Sequence, residues 1–373
     1  MEFVVSGAEM ITAHGQGRKQ VFGRMCEGEV AVSRIENFCT SHYKTKHAYE
    51  IKSAHKLQYR SSDWLEDVIK AAIAEAKLDL ANQRVAVVVG TGLREQPSAE
   101  RWYCNEDDFD ARRLHYERAV QEALGQKLPV FTIVNACAAS LCSLQIGCDM
   151  LELQQFDAVV VAGVDTITES MYGLLDRVTS TPPEELNPFE QTRKGVLMGD
   201  GAAAIVVQTV ERANKVLAHL RSTEQNCDAF HETAPDKKGI TQAIVQAHEA
   251  GQITPADIDL IMAHGTGTEL NDSTEGAALR DVFKEDASNT FLLGLKSLTG
   301  HTAGASGLIG LITAIEIMQQ QRIPPTHGLL DPIECVSNFN LVTEYMSCQD
   351  IKMAQINAFG FGGINAVVVL EMK

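Results

Sequence analysis

Residues 85–92 read VAVVVGTG, and residues 260–267 read LIMAHGTG. Each stretch is a short apolar run that ends in a glycine-rich turn, the pattern of a buried strand followed by a loop that another group can approach closely. Runs that are apolar at every position indicate a sheet covered on both faces. The two stretches predict an α/β protein in which one strand–turn unit occurs twice.

Two further similarities follow in the same order along the chain. The helix predicted after Cys137 resembles the one predicted after His301, since both start with small residues and end with polar ones. Residues 201–207 (GAAAIVV) resemble residues 363–369 (GINAVVV). Matches in the same order indicate a duplicated half.

The predicted halves meet in the charged stretch around Glu211 and Arg212. No linker rich in Pro or Ser marks this boundary. We therefore predict halves 1–212 and 213–373 that pack into one body.

The composition excludes several classes of protein. Of 373 residues, 45% are hydrophobic and 22% are charged, which is ordinary for a globular protein. The formal net charge of −17 disfavours an overall basic surface, so we predict no nucleic-acid partner. No apolar run reaches the length of about 18 residues that indicates a membrane span. Residues 1–5 (MEFVV) indicate an early strand and not a signal peptide.

The nine cysteines are an odd number and include no Cys-x-x-Cys pair. This usage argues against a disulfide framework and against a zinc ribbon. We predict reduced thiols in a cytoplasmic protein with no metal site.

The first candidate site is Cys137, within Asn135-Ala-Cys-Ala-Ala-Ser140 and ahead of a helix predicted to reach about Gln154. The free N–H groups of a helix start carry partial positive charge, which lowers the pKa of a nearby thiol. Cys137 is therefore a candidate nucleophile. The alternative is a buried structural cysteine.

The second candidate site begins at His264, in His264-Gly-Thr-Gly-Thr268, and Asn271, Asp272 and Glu275 follow. It lies at the end of an apolar strand, where α/β proteins place functional groups. The alternative is a strand-end turn with a satisfied histidine.

Two more clusters lie in the second half. His301 lies within residues 296–307 (KSLTGHTAGASG), ahead of another helix start, and residues 357–363 (NAFGFGG) place glycines around an aromatic residue. N–H groups of such a bend could face an oxyanion. The alternatives are tight helix packing for the first cluster and a β-bulge for the second. A thiol with two histidines favours nucleophilic acyl chemistry.

Together the four clusters resemble the β-ketoacyl synthases of the elongating Cys-His-His type, and the resemblance covers nearly the whole chain. It extends to residues 4–7 (VVSG), 90–92 (GTG), 187–190 (NPFE) and 193–202. The resemblance implies a thiolase-like fold whose duplicated halves stack as five α-β-α-β-α layers. It also implies a dimer that pairs through the first half, as a homodimer or as a heterodimer with a ketosynthase-like chain-length partner.

The resemblance also implies roles for individual residues. Cys137 would carry the acyl group, and His264 and His301 would hold the thioester carbonyl of malonyl-acyl carrier protein during decarboxylation. Lys296 and Glu275 would link the histidines electrostatically. The N–H groups of Cys137 and Phe361 would form the oxyanion hole, and Phe361 would gate malonyl entry. Further substrate-binding positions are Thr266 and Thr268 (for the phosphopantetheine arm), Phe189, Phe359 and Gly362.

The implied partner is an acyl carrier protein, and the implied enzyme binds no cofactor of its own, since phosphopantetheine belongs to the carrier. Carrier proteins are acidic, so an acidic enzyme needs a local basic surface. A candidate lies in the segment 42–60, whose cations are Lys44, Lys46, Lys52, Lys56 and Arg60. The alternative is an ordinary solvated surface.

The chain also departs from the family pattern. It is shorter between Phe38 and Ser61 and between Gly92 and Cys137, Asp200 stands where glutamate is usual, and Ile364 stands where threonine is usual. These departures favour a divergent branch in polyketide or aryl-polyene assembly over primary fatty acid synthesis.

Three alternative functions stay open. A thiolase or an acetyl-CoA-primed synthase shares the fold, but position 301 is histidine and the loop 360–362 has no cysteine. A non-catalytic chain-length partner usually lacks the nucleophile that this chain retains. A malonyl decarboxylase or acyltransferase could use the same site without condensation.

Overall fold

The structure is a computed structural model and describes residues 1–52, 60–348 and 350–373. In these residues the strands are β1 (Phe3–Thr12), β2 (Gly15–Gln16), β3 (Ser33–Arg34), β4 (His47–Ala48), β5 (Val85–Gly90), β6 (Val130–Ile133), β7 (Ala158–Asp165), β8 (Gly201–Thr209), β9 (Ala218–Cys227), β10 (Leu260–Met262), β11 (Phe291–Leu293), β12 (Arg322–Ile323), β13 (Asn340–Leu341), β14 (Met346–Ser347), β15 (Met353–Gly360) and β16 (Ile364–Glu371). The α-helices are α1 (Arg18–Cys26), α2 (Arg60–Ala76), α3 (Gln96–Tyr103), α4 (Glu117–Leu124), α5 (Ala139–Glu152), α6 (Glu169–Val178), α7 (Lys237–Gly251), α8 (Glu269–Phe283), α9 (Lys296–Thr299) and α10 (Ser306–Gln320).

The strands of the main sheet follow the order β13-β11-β10-β15-β16-β9-β1-β8-β7-β5-β6. The first half contributes β6-β5-β7-β8-β1, and the second half contributes β11-β10-β15-β16-β9. When the five strands of each half are numbered by their order in the sequence, both sheets have the spatial order 3-2-4-5-1. In both, the first two pairings are parallel and the last two are antiparallel. The predicted duplication of the fold is confirmed.

The two halves join edge to edge through β1 and β9. Phe3, Val4 and Val5 pair antiparallel with residues 220, 219 and 218. Strand β8 ends at Thr209 and β9 begins at Ala218. The boundary at residue 212 stays a prediction.

The core lies in three main clusters that define the layers. The largest lies between the two sheets and combines α5 and α10 with one face of each sheet, through Leu141, Leu144, Leu308, Ile312, Val159, Val161, Ile356 and Val368. A second cluster packs α2 and α4 on the outer face of the first sheet, through Leu65, Val68, Val120, Val87 and Val160. A third packs α7 and α8 on the outer face of the second sheet, through Ile244, Phe283, Val367 and Val369. Because side chains alternate between sheet faces, Val159 and Val160 belong to different layers. The predicted α-β-α-β-α order is confirmed.

The two middle helices start beside the carboxyl ends of the central strands. A Cβ atom on Gly90 would lie 2.5 Å from the backbone of Ala139 and Ser140. Glycine at the end of β5 therefore lets the start of α5 approach the sheet closely. No helix in the described ranges has both the length and the apolar character needed to cross a bilayer.

Candidate active site

Cys137 lies in a short 3₁₀ turn, Ala136–Ala138, between β6 and the start of α5. Ala136 has a φ of 47°, a left-handed conformation that a residue with a Cβ adopts only at a cost. The thiol Sγ lies 3.0 Å from Nε2 of His301. The strained turn thus presents the sulfur to the other half of the molecule.

His301 lies in the corresponding segment of the second half, two residues before the 3₁₀ turn Ala303–Ala305 that leads into helix α10. Ala303 has a φ of 43°, which repeats the strain at Ala136. The His301 backbone is held by Leu197 and Gly199, at 2.8 and 3.0 Å. Its Nδ1 lies 3.1 Å from the Ser306 hydroxyl. These contacts fix the plane of the ring and leave Nε2 to the thiol.

His264 follows β10, and its ring centroid lies 5.4 Å from that of His301, at an interplanar angle of 84°. Lys296 donates to the backbone carbonyl of His264 and lies 3.4 Å from its Nδ1. Three elements that are distant in sequence therefore bring Cys137, His301 and His264 together, with Lys296 behind the last.

Glu275 contacts the backbone of His264 and not its ring. Its carboxylate accepts hydrogen bonds from the N–H groups of His264 and Gly265, each at 2.8 Å, and from the Asn357 amide at 3.1 Å. Its charge also raises the pKa of Lys296, against the larger effect of burial. The expected link between Glu275 and both histidines is therefore indirect, through the backbone and through Lys296.

The predicted lowering of the Cys137 pKa is wrong. Burial raises the pKa of this thiol to about 12, although the positive charge of Lys296 and the thiol's own backbone N–H act in the opposite direction. Desolvation of a thiolate outweighs the partial charge of a helix start here. The sulfur is therefore a neutral thiol at rest.

Both histidines are also neutral. Burial, assisted by the charge of Lys296, holds the pKa of His264 and the pKa of His301 well below the usual value of 6.5. Burial lowers the pKa of Lys296 to about 8. A protonated Lys296 donates to Nδ1 of His264, which places the ring proton of His264 on Nε2.

The predicted substrate-binding residues fall into two groups. Thr266 and Thr268 lie beside His264 with their hydroxyls 2.9 Å apart, and Phe359 stacks edge-on against His264 at 5.7 Å. Phe361 lies in the turn after β15 with about half of its side chain exposed. The lack of a Cβ at Gly360 lets that turn pack closely against the segment of the nucleophile, since a Cβ there would lie 3.1 Å from the Asn135 carbonyl.

Two other predicted substrate-binding residues, Phe189 and Gly362, have contacts within the protein in this structure. Phe189 is only 1% exposed and packs in the outer core of the second half, where its N–H donates to Asp272 at 2.8 Å. Its ring packs against the turn at Gly265 and is closed to solvent. The N–H of Gly362 donates to the Glu232 carbonyl at 2.9 Å, so this group is committed to the neighbouring loop.

The cations of the predicted carrier-docking segment have the following partners in the structure. Arg60 pairs with the buried Asp200 at 2.9 Å, and Lys52 pairs with Glu36 at 2.9 Å and with Glu50 at 3.5 Å. Lys46 donates to the Thr40 and Tyr43 carbonyls of its own loop, and Lys44 donates to the Thr179 carbonyl at 2.6 Å. Lys56 lies outside the described residues. Arg60 and Lys52 are therefore paired with carboxylates, whereas Lys44 and Lys46 bond to uncharged carbonyls and keep their positive charge. Carrier docking at this segment stays a prediction.

Sequence reasoning missed Asp165, at the end of β7. This buried carboxylate accepts from Thr91, Gly92 and Leu93 of the first half at 2.7–2.8 Å, and from Gly304 of the second half at 2.6 Å. It fixes the turn after β5 to the turn after His301. Burial raises its pKa to about 6. A lone carboxylate that ends the apolar run 158–164 was the available signal.

Two family models match the chain. The N-terminal domain of β-ketoacyl synthases matches residues 60–213, and the C-terminal domain matches residues 217–330. The chain belongs to the β-ketoacyl synthase family. The prediction of this family is confirmed, and the matched regions include Cys137, His264 and His301.

The ketosynthase is also similar to individual proteins. It is 27% identical to 3-oxoacyl-[acyl-carrier-protein] synthase 2 of Staphylococcus aureus, over 99% of this chain and 97% of that protein. It is 28% identical to Nodulation protein E of Rhizobium meliloti over 68% of this chain, and the match spans 64% of that relative's length.

Solved structures have the same fold. The ishigamide ketosynthase/chain length factor superposes with a TM-score of 0.91 at 25% identity, covering 100% of this chain and 99% of that one. A β-ketoacyl synthase from Burkholderia phymatum superposes with a TM-score of 0.88 at 21% identity, with the same coverage.

Proposed function

We propose that this ketosynthase condenses an acyl group, held as a thioester on Cys137, with malonyl-acyl carrier protein and releases CO2. The observation that carries the proposal is the 3.0 Å contact between Cys137 Sγ and His301 Nε2, with the His264 ring beside it. The product is a β-ketoacyl chain on the carrier, in fatty acid or polyketide and polyene synthesis. The relatives named 3-oxoacyl-[acyl-carrier-protein] synthase 2 support this reaction class.

In the first step, Cys137 attacks the thioester carbonyl of an acylated carrier. His301 Nε2 accepts the thiol proton, while its Nδ1–H donates to the Ser306 hydroxyl. The carbonyl oxygen becomes an oxyanion, which the N–H groups of Cys137 and Phe361 would stabilise. Collapse of the intermediate breaks the bond to the carrier sulfur, and the carrier thiol leaves with the proton from His301.

In the second step, malonyl-acyl carrier protein loses CO2. The electron pair of the broken C–C bond moves toward the thioester carbonyl, whose oxygen becomes negative. His264 Nε2–H donates to this oxygen, because Lys296 occupies its Nδ1. A neutral histidine is a suitable donor to a developing charge. The enolate carbon then bonds to the acyl carbon as the bond from that carbon to the Cys137 sulfur breaks. The Cys137 thiolate that leaves takes up one proton from water, which restores the resting thiol.

The proposed partners are an acyl carrier protein and a second chain of the same fold. Strand β6 is the outer strand of the first-half sheet and pairs with β5 on one side. Phe131 on β6 and Val134 after it are about 40% exposed, and Trp102 and Tyr103 on α3 are more exposed still. An apolar sheet edge of this kind favours pairing with another chain. We place this assembly in the cytoplasm, without a bound cofactor.

The proposal is tested by intact-mass spectrometry of the purified protein with a panel of acyl-carrier proteins. Wild type should gain an acyl group that maps to Cys137, and malonyl-carrier protein should remove it as a β-ketoacyl product. Cys137→Ala is the control and should gain no adduct. Decarboxylation without product would favour a decarboxylase. No adduct on wild type, alone or with a partner chain, would overturn the proposal.

A further inference from the structure

A line of four buried polar side chains runs from helix α7 to the backbone of His264. His248 Nε2 lies 2.7 Å from Gln355 Oε1, and Gln355 Nε2 donates to Asn357 Oδ1 at 2.8 Å. Asn357 Nδ2 donates to Glu275 Oε1 at 3.1 Å, and this same oxygen accepts the N–H of His264 at 2.8 Å. We call His248, Gln355, Asn357 and Glu275 the polar line.

The donor and acceptor of every hydrogen bond in the polar line follow from the Glu275 end. Both oxygens of Glu275 already accept backbone N–H groups, from His264 and from Gly265. Asn357 must therefore donate its NH2 to Glu275 and accept at Oδ1. Gln355 must then donate to Asn357 and accept at Oε1. His248 must carry its proton on Nε2.

The polar line is closed to water. Gln355 and Glu275 are fully buried, and Asn357 and His248 are at most 4% exposed. Burial lowers the pKa of His248, so its ring is neutral, and the ring packs edge-on against Phe283 at 5.7 Å. A buried amide that loses its hydrogen-bond partner cannot turn to solvent. The loss of one hydrogen bond therefore disturbs the orientation of the next side chain in the polar line.

We propose that Gln355, oriented by His248, is a positioning residue that holds His264 in its working place through Asn357 and Glu275. The inference rests on the proposed function, since it assigns the polar line to the malonyl step served by His264. The acyl-transfer step uses Cys137 and His301, which take no part in the line. The two half-reactions should therefore respond differently when the line is broken.

The test compares Gln355→Met with Gln208→Met. Gln208 is the matched control, because it is a fully buried glutamine on β8 of the first half, bonded to Ser6 at 2.8 Å and remote from His264. In Gln355→Met we expect malonyl-carrier decarboxylation to fall by about tenfold or more, while acylation of Cys137 stays within about twofold of wild type. Gln208→Met should change the two rates equally or not at all.

His248 supplies a second pair of variants. His248→Gln keeps an N–H donor near the position of Nε2 and should retain most of the decarboxylation rate, whereas His248→Leu should reproduce the loss seen in Gln355→Met. Equal losses in both half-reactions for Gln355→Met, or equal rates in the two His248 variants, would overturn the inference.

A readout independent of the reaction separates this inference from the proposed function. Hydrogen–deuterium exchange of the backbone amides of residues 264 and 265 should be faster in Gln355→Met than in Gln208→Met, because both amides bond to Glu275. Unchanged exchange would overturn the inference even in an active enzyme. A wild type with neither half-reaction but with the exchange difference would overturn the proposed function alone.

Discussion

At the scale of single residues, the candidate site places three neutral groups beside a lysine and a carboxylate of opposite charge. Burial keeps Cys137 protonated and keeps His264 and His301 unprotonated, while Lys296 and Glu275 are the charged members. The thiol and the imidazole exchange a proton only when substrate arrives, so the resting site carries no reactive thiolate. This arrangement suits a nucleophile that must wait for a carrier-bound substrate.

The lowered pKa of Lys296 makes the malonyl step sensitive to pH. Below about pH 8, Lys296 is charged and donates to His264 Nδ1; above it, the proton is lost and the tautomer of His264 is no longer fixed. We expect malonyl-carrier decarboxylation to fall as pH rises through about 8. Acylation of Cys137 should change little over the same range, because the thiol pKa lies well above it and the His301 pKa well below it. Stopped-time assays of each half-reaction across this range measure both trends, and parallel profiles would contradict the assignment.

The sequence predicted candidate reactive residues that the structure brings together, but it did not predict their protonation. Residue type and position at a helix start favoured a low thiol pKa, and the structure reverses this direction. Burial decides whether the pKa of Cys137 rises or falls. The thiol contacts His301 of the second half, which lies far away in the sequence. A local pattern carries no information about that desolvation.

At the scale of elements, Cys137 lies in a short 3₁₀ turn that leads into a middle helix, and His301 lies just before another such turn. Both turns contain an alanine in the left-handed region, Ala136 and Ala303. Helix α10 is buried along nearly its whole length, and the apolar run of residues 307–312 (GLIGLI) was a usable signal of a middle layer. The strained turns were not predictable, because alanine gives no sign of a positive φ.

The close approach of α5 to β5 gives a prediction for Gly90. Gly90→Ala would place a Cβ 2.5 Å from the backbone of Ala139 and Ser140, so α5 and Cys137 must shift. We expect a loss of about 1–3 kcal/mol in the free energy of unfolding and slower acylation of Cys137. The control is Gly23→Ala in α1, where an added Cβ meets no atom within 4 Å. It should be neutral or more stable by about 0.5–1 kcal/mol. Urea unfolding measures both, and similar midpoints would contradict the packing argument.

At the scale of the whole molecule, the duplicated halves were visible in the sequence because strand ends and helix starts repeat in order. The junction between the halves was not, because the pairing of β1 with β9 involves three residues with ordinary apolar side chains. The order of the layers could be predicted because the strand sequences are apolar on both faces of the sheet. The assignment of each half's edge strands needs the structure.

The exposed edge at β6 gives a prediction about assembly. Sedimentation of the wild type, alone or with a candidate chain-length partner, should show a particle of two chains, about twice the 40.7 kDa of this one. Phe131→Lys places a charge on that edge and should shift the particle toward a single chain. The matched control is Val216→Lys, on a partly exposed residue just before β9. An unchanged particle in Phe131→Lys would show that the chains pair elsewhere.

The place of β1 in the sheet has a consequence for synthesis on the ribosome. Ser6 of β1 bonds to Gln208, 202 residues later, and the other edge of β1 pairs with β9. At about 5–20 residues per second, the strand waits about 10–40 s for these partners. During that time Val4, Val5 and Met10, all fully buried in the finished protein, have no sheet to cover them. Strand β1 therefore leaves the ribosome long before both of its long neighbours in the sheet, and it is a segment on which a nascent-chain chaperone would act.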